Sequence, residues 1–300
     1  IMIIDVASKV LEQNLPTLDG VGMDSMEMPV IFEIPGYGRC FHMAECDASI
    51  SLQCKKSRGI HMSRLFLLLQ EKLESQPLCF PLMKSILQEF LSSHKGLTHK
   101  SYLAIRSAYP IKRKSLISDN QGWRKYNLEY KASFEAGVFI PQIKISILYS
   151  SACPCSAALS RELIQKKFRS KFSKSNNICF EEIHEWLGKE ESMVAIAHSQ
   201  RSQADLTLFP KNWDNFSPEQ TINMLEQTLK TPVQGAVKRE DEQEFARLNG
   251  SNPMFVEDSC RLLKKALLKQ DDFNDFQIKV SHFESLHPHN AVAWASKHES

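Results

Sequence analysis

The sequence predicts an α+β fold built from two similar halves. Stretches in which apolar and polar residues alternate indicate strands, and they flank pairs of stretches whose apolar residues recur at helical spacing. This order occurs twice along the chain. The chain has 300 residues, 42% of them hydrophobic, which is enough to bury a sizeable core. We place the two halves at residues 1–135 and 136–300.

The first half is predicted in the order strand, strand, helix, helix, strand, strand. A Pro-Gly-Tyr-Gly turn at residues 35–38 separates the first two strands. Apolar residues from Met62 to Leu73 recur with the period of a helix. The six elements are predicted at residues 28–34, 44–52, 62–73, 81–92, 102–111 and 124–134.

The second half opens with a strand in which Ile143, Ile145 and Ile147 alternate with polar residues. An insertion that carries helix is predicted at about residues 161–193. Asn252 is predicted to cap the last helix, with Pro253 at its first position. The remaining elements are a strand at 194–209, helices at 218–229, 239–248 and 253–269, and strands at 276–284 and 291–295.

The charge balance excludes some classes of partner. There are 37 basic and 35 acidic residues, and this net charge of +2 gives no global attraction to nucleic acid or an anionic membrane. The basic cluster at 161–177 carries no nucleic-acid recognition motif, so a solvated helix face is favoured over nucleic-acid contact. The first eight residues lack the pattern of an export signal, and no run of eighteen apolar residues occurs. We therefore expect a cytoplasmic chain.

The spacing of two cysteines indicates a metal site. Eight cysteines are too few for a disulfide scaffold, and Cys153 and Cys155 flank Pro154. Pro154 biases Cys153 towards an extended conformation, in which both sulfurs could face one pocket. The sequence has no CxxC pair, so a closed four-thiolate site is disfavoured. An open catalytic site with further His and Glu ligands is the better match.

Four polar residues are candidates for those ligands or for catalysis. His198 shares the parity of the apolar residues in its predicted strand, although a core histidine would show the same pattern. Glu242 lies in a charge run that suits an exposed first helical turn, but its spacing before apolar residues turns it partly inward. His282 and Glu284 continue the buried parity of the strand at 276–284, where pKa values shift and proton transfer becomes feasible.

Five ordered motifs carry a resemblance to a known family. They are Arg-Gly-Ile-His-Met-Ser-Arg at 58–64, Ser-Ala-Cys-Pro-Cys-Ser at 151–156, Ala-His-Ser-Gln-Arg-Ser at 197–202, the run at 232–246, and His-Phe-Glu-Ser-Leu-His at 282–287. Together they resemble the prokaryotic type IB GTP cyclohydrolase I, over residues 20–293. The resemblance implies a tunnelling fold (T-fold) with two ββααββ-like halves, helices on one face, and a homotetramer with sites at subunit interfaces.

The resemblance also implies the reaction. The family uses zinc and tolerates manganese to open the imidazole ring of GTP, releasing formate and forming 7,8-dihydroneopterin triphosphate for folate synthesis. Position by position, Cys153, His198 and Glu242 resemble the metal ligands, and Cys155 resembles an essential cysteine that is not a ligand. Glu257 matches an acid expected to anchor the guanine edge.

Opening the ring also needs proton transfer and cations for the triphosphate. His287 and Glu284 are expected as general acid and base. The cations and hydroxyl next to a helix start are expected to meet the phosphates: Arg58, His61, Ser63 and Arg64.

Several alternatives stay open at this stage. Glu257 could pair with Arg261 instead, Arg64 could be a plain surface residue, and Glu240 or Glu244 could replace Glu242. The long gap between Cys155 and His198 departs from the family, which usually has about a dozen residues there.

Two other functions compete with the cyclohydrolase. A tunnelling-fold nitrile reductase would use one cysteine nucleophile without metal, but the cysteine pair and the lack of a nicotinamide signature count against it. A non-catalytic metal-binding interaction module is the second.

Overall fold

One antiparallel sheet runs through the computed structural model, which describes residues 14–173, 177 and 179–298. In this part of the chain the sheet has eight strands, and their order in space follows their order in the sequence. The strands are β1 Leu18–Ile34, β2 Gly38–Leu52, β3 Lys100–Lys114, β4 Gln121–Glu135, β5 Val138–Ala152, β6 Ser199–Pro210, β7 Phe273–His282 and β8 Ala291–Ser296.

The helices that contact the sheet lie between strands in the chain and cover its apolar face. The helices are α1 Met62–Ser75, α2 Phe80–Ser93, α3 Pro154–Phe172, α4 Phe180–Leu187, α5 Pro218–Leu229, α6 Arg239–Ser251 and α7 Val256–Gln270. Helices α1 and α2 contact β1, β3 and β4, whereas α5 and α7 contact β5, β7 and β8. The α+β class and the predicted ββααββ order of the first half are confirmed.

The core forms where the alternating strand residues meet the helices. Ile143, Ile145 and Ile147 are fully buried, as their alternation predicts, and Leu65 and Leu69 of α1 are fully buried too. One continuous cluster of buried apolar side chains draws on both halves of the chain. Burial of apolar area is the main favourable term in folding, so this shared core couples the two halves energetically.

The two halves also share the sheet. β4 and β5 are joined by a two-residue turn in which Ala136 has φ 49° and Gly137 has φ 83°. Two left-handed residues are what a tight hairpin turn between twisted strands requires. The predicted boundary between residues 135 and 136 falls at this turn.

The last helix begins later than predicted. Phe255 is the N-cap of α7, whereas Asn252 ends α6 as its C-cap. The predicted capping role of Asn252 is therefore wrong, because its side-chain amide instead donates a hydrogen bond to the carbonyl of Leu229 at 3.1 Å. Together with Thr231 Oγ1, which donates to the same carbonyl at 3.3 Å, this amide satisfies an acceptor at the end of α5.

The predicted strand at 194–209 begins only at Ser199. Val194 and Ile196 are exposed, so the parity that was expected to bury His198 does not extend below residue 199. Helix α3 begins at Pro154, before the start of the insertion predicted at about 161–193. Trp186 of α4 is buried against Phe168 and Phe172 of α3, which gives the insertion a small core.

The sheet has two ends, which carry different parts of the chain. At the upper end β5 stops and β6 starts, so Ala152 lies opposite Ser199, and β7 stops there at His282. At the lower end β2 stops and β3 starts, where Ile50 pairs with Ser101. Strand β5 has 15 residues and runs from the lower end to the upper end over about 45 Å.

None of the helices in the described part of the chain combines the length and the apolar character needed to cross a membrane.

Candidate active site

The pairing of β5 with β6 brings two predicted ligands together at the upper end of the sheet. Cys153 directly follows β5 and His198 directly precedes β6. The backbone N–H of Cys153 donates to the carbonyl of His198 at 3.2 Å, although the residues are far apart in sequence. The long insertion between them therefore leaves both residues at the same place in the fold.

The two neighbouring cysteines have different surroundings. Cys153 is the N-cap of α3 with φ −72° and ψ 122°, so its predicted extended conformation is confirmed. Pro154 begins α3, and Cys155 lies in its first turn. The extended segment that was expected to turn both sulfurs the same way therefore ends at Cys153, because Pro154 suits the first helical position and starts α3. Cys153 is half-buried and Cys155 is exposed.

His198 is half-buried and held at two points. Its backbone N–H donates to Ser156 Oγ at 3.1 Å. Its ring atom Nδ1 lies 3.1 Å from Gln200 Oε1. With Nδ1 engaged in this way, Nε2 is the ring atom left for another contact.

Glu242 is exposed, which differs from the prediction that it turns partly inward. It lines a cavity of about 440 Å³ that also includes Ser199 and Gln200 of β6 and Phe245 of α6. The buried carboxylate of the charge run is its neighbour Asp241, which has no exposed surface.

Asp241 fixes the first turn of α6, which carries Glu242. Its carboxylate accepts hydrogen bonds from the backbone N–H groups of Ile117, Ser118 and Lys238, at 2.8, 2.9 and 2.8 Å, and from Ser118 Oγ at 2.5 Å. Burial alone would raise its pKa, but these hydrogen bonds outweigh burial and hold the pKa well below its usual range. Asp241 thus fastens α6 to the turn between β3 and β4.

His282 is buried, with 2% of its surface exposed, as the parity of β7 predicts. Its Nε2 lies 2.9 Å from the Tyr149 hydroxyl, and its Nδ1 lies 3.3 Å from Ser151 Oγ. Burial lowers the pKa of His282 to about 4, and the nearby carboxylate of Glu257 opposes this only in part. At neutral pH the ring is uncharged.

The other predicted catalytic and guanine-binding residues lie near the same end. Glu257 is exposed in the first turn of α7, and its possible partner Arg261 pairs with Asp258 at 3.8 Å. Strand β7 ends at His282, so Glu284 is half-buried outside the strand and not on its buried face as predicted. His287 is exposed in the loop that follows.

The predicted triphosphate residues lie at the lower end. Arg58, His61, Ser63 and Arg64 follow β2 and surround the start of α1, where His61 is the N-cap. Arg64 Nη1 donates to the carbonyl of Ser93, which ends α2, at 2.7 Å. Within one chain, these four residues therefore lie about the length of β5, roughly 45 Å, from Cys153 and His198.

The predicted donor set suits a divalent metal, but the predicted ligands do not converge in a single chain. Among the described residues, no three His, Cys, Asp or Glu side chains lie close enough together to hold an ion. Cys153 and His198 are adjacent, and Glu242 lies in the cavity beside Gln200. Zinc accepts a thiolate, an imidazole and a carboxylate as ligands, so the residue types fit. For all three to bind one ion, Glu242 must move closer to Cys153 and His198.

The family model described as type I GTP cyclohydrolase folE2 matches residues 3–293 of the chain. The chain belongs to the type I GTP cyclohydrolase FolE2 family. It is 43% identical over 294 residues to GTP cyclohydrolase FolE2 of Pseudoalteromonas translucida, covering 98% of this chain and 97% of that protein. The FolE2 of Bdellovibrio bacteriovorus is 42% identical over 300 residues, covering 98% and 95%. The predicted enzyme class, a GTP cyclohydrolase, is confirmed.

Solved structures of low sequence identity share the fold of this FolE2 family member. A uricase from Arthrobacter globiformis superposes with a TM-score of 0.54 at 3% identity, covering 95% of this chain and 94% of the uricase. A uricase from Bacillus fastidious gives 0.51 at 9% identity, with the same two coverages. At such identities the likeness concerns the fold alone. The predicted tunnelling fold is confirmed.

Sequence reasoning missed the polar residues behind the predicted ligands. Gln200, Ser151 and Ser202 lie on the buried side of β5 and β6, and Asp241 lies under α6. The even-numbered residues of β6 are buried from Gln200 to Leu208, so continuing that parity down to residue 200 could have found Gln200 and Ser202.

Proposed function

We propose that this chain opens the imidazole ring of GTP, releases formate and forms 7,8-dihydroneopterin triphosphate, the first step of folate synthesis, as a prokaryotic type IB enzyme. The observation that carries the proposal is the backbone hydrogen bond of 3.2 Å that joins Cys153 to His198. Two residues of ligand type, distant in sequence, meet beside Cys155 and at the same end of the sheet as Glu257.

Cys153, His198 and Glu242 would hold the divalent metal, which we expect to be zinc, with manganese tolerated. Glu244 is engaged with Arg247 at 2.7 Å, which favours Glu242 over that alternative. Asp241 supports the choice, because it fixes the turn that carries Glu242. When bound, such an ion lowers the pKa of water and polarises the atom under attack.

Cys155 would act on the reacting atoms without binding the metal. Its exposed thiol lies in the first turn of α3, close to Cys153. The orientation of Cys155 is set by this helix, whereas Cys153 follows directly on the strand β5. There it can hand a proton to the ring nitrogen that departs when the C8–N bond breaks. Glu284 and His287, on the loop after β7, would serve as the further base and acid.

Glu257 would recognise guanine. A carboxylate can accept two hydrogen bonds from the neighbouring N–H groups of the guanine edge, which adenine does not present in that arrangement. Arg261 pairs with Asp258 at 3.8 Å and not with Glu257, which is consistent with this role. The exposed first turn of α7 suits contact with a ligand.

The triphosphate would be bound by Arg58, His61, Ser63 and Arg64 of a neighbouring subunit. These residues and the metal ligands lie at opposite ends of strands about 45 Å long, far more than a nucleotide spans. A complete site therefore needs two chains, and we propose a homotetramer with interfacial sites, each subunit composed of halves 1–135 and 136–300. We expect it to act in the cytoplasm without membrane or nucleic-acid partners.

The reaction itself provides the test. Purified chain loaded with zinc or manganese is incubated with GTP, formate is measured, and the oxidised product is examined for pterin fluorescence. We expect formate and pterin in equal amounts from GTP and neither from ATP. The proposal would be refuted if neither product formed with zinc or with manganese, or if ATP were turned over as fast as GTP.

A further inference from the structure

A buried chain of hydrogen bonds leads from His198 into the core. Gln200, with 8% of its surface exposed, stands between His198 and the strand β5. Its Oε1 lies 3.1 Å from His198 Nδ1, and its Nε2 donates to Ser151 Oγ at 3.1 Å. Ser151 Oγ in turn lies 2.7 Å from Ser202 Oγ and 3.3 Å from His282 Nδ1.

One assignment of protons satisfies every member of this chain. Burial raises the pKa of Tyr149, so its hydroxyl stays protonated and donates to His282 Nε2 at 2.9 Å. His282 then carries its proton on Nδ1 and donates to Ser151 Oγ, which passes its own proton to Ser202. Ser151 Oγ is thereby an acceptor for the amide of Gln200.

This direction decides which nitrogen of His198 is free. With the Gln200 amide nitrogen donating to Ser151, its oxygen faces Nδ1 of His198, so Nδ1 must carry the proton. A neutral imidazole with its proton on Nδ1 has its lone pair on Nε2. The reversed amide would face Nδ1 with a donor and leave the proton on Nε2, which then could not bind a cation.

We propose that Gln200 is a positioning residue that fixes the ring orientation and tautomer of His198, so that Nε2 is presented to a divalent cation. The inference rests on the proposed role of His198 as a ligand. Ligand histidines need a partner on their second nitrogen, and loss of such a partner typically lowers metal affinity 10- to 100-fold. Gln200 lies opposite Ser151 in the register of β5 and β6, so the sheet itself sets this geometry.

The test measures zinc affinity of the full chain by competition with a chromophoric chelator. Gln200→Met keeps similar volume but removes the acceptor, and we expect about 10- to 100-fold weaker zinc binding. Gln200→Glu keeps an acceptor towards Nδ1, and its zinc affinity should remain close to that of the parent chain. Ser151→Ala frees the amide to reverse and should weaken binding at least twofold. When cobalt replaces zinc, its absorption bands should differ from those of the parent chain in Gln200→Met but not in Gln200→Glu.

Gln203→Met is the matched control. Gln203 is on the same strand but faces the other side, where its amide donates to Asp205 Oδ1 at 2.8 Å. Unchanged zinc affinity in both Gln200→Met and Ser151→Ala, with His198→Ala losing zinc, would overturn the inference and leave the proposed ligand set intact. Unchanged affinity in His198→Ala would instead refute the ligand assignment itself, and the inference with it.

Discussion

Replacing His282 by glutamine should make the stability of this enzyme less dependent on pH in mildly acidic solution. The imidazole is buried among Tyr149 and Ser151 from β5 and Ser259 from α7, and the carboxylate of Glu257 is the nearby opposing charge. Burial lowers the pKa of His282 to about 4, from 6.5. Between about pH 4 and pH 6.5 the imidazole of His282 therefore stays neutral in the folded chain, whereas it binds a proton in the unfolded chain.

The size of the effect follows from these two values. Well above pH 6.5 neither state is protonated at His282, and no stability is lost. As the pH falls from 6.5 towards 4 the unfolded state gains protons, and the loss reaches about 3.4 kcal/mol below pH 4. At pH 5 the same linkage gives about 2 kcal/mol.

The assay is urea-induced unfolding at pH 7 and pH 5 for the parent chain and for His282→Gln. The variant is expected to be less stable at pH 7, because it loses the contact with Tyr149, but to lose about 2 kcal/mol less than the parent chain between the two values of pH. The exposed His184→Gln should follow the parent chain. Equal losses in His282→Gln and the parent chain would refute the reasoning.

Three further outcomes are expected. Cys153→Ala should lose zinc and turnover together, whereas Cys155→Ala should retain zinc and GTP binding but lose ring opening; equal zinc loss in both, measured by metal analysis, would contradict the assignment. Asp241→Asn should lower the melting temperature and the zinc content, because an amide nitrogen would face backbone donors now bound by the carboxylate, while the exposed Glu240→Gln should change neither. Sedimentation should give a tetramer, and a fully active monomer would rule out interfacial sites.

The sequence predicts the fold well where burial is one-sided. Ile143, Ile145 and Ile147 alternate because one face of β5 is in the core, and that pattern is visible without a structure. Helix α5 has the predicted bounds, since Ser217 caps its start and Lys230 ends it in a left-handed conformation with φ 67°. Strand ends are harder to predict, because β1 starts at Leu18 among residues exposed on both faces.

The site is predicted by residue type and only partly by geometry. The cysteine spacing indicates Cys153, but its contact with His198 depends on strand pairing across the insertion, which no local pattern encodes. Glu242 was expected to turn inward, whereas the buried carboxylate is Asp241. Three of its four hydrogen-bond donors belong to Ile117 and Ser118 in the turn between β3 and β4, more than a hundred residues away. Long-range polar contacts of this kind leave no periodic signal in the sequence.

The separation of the two ends of the sheet has a genetic consequence for the proposed assembly. If every site takes its phosphate cations from one subunit and its thiolate from another, two inactive chains can repair each other. A chain lacking Arg58 still offers Cys153, and a chain lacking Cys153 still offers Arg58. In randomly mixed oligomers formed from equal amounts, roughly one site in four would be intact. Partial complementation between two defective alleles is thus a consequence of the distance that β5 spans.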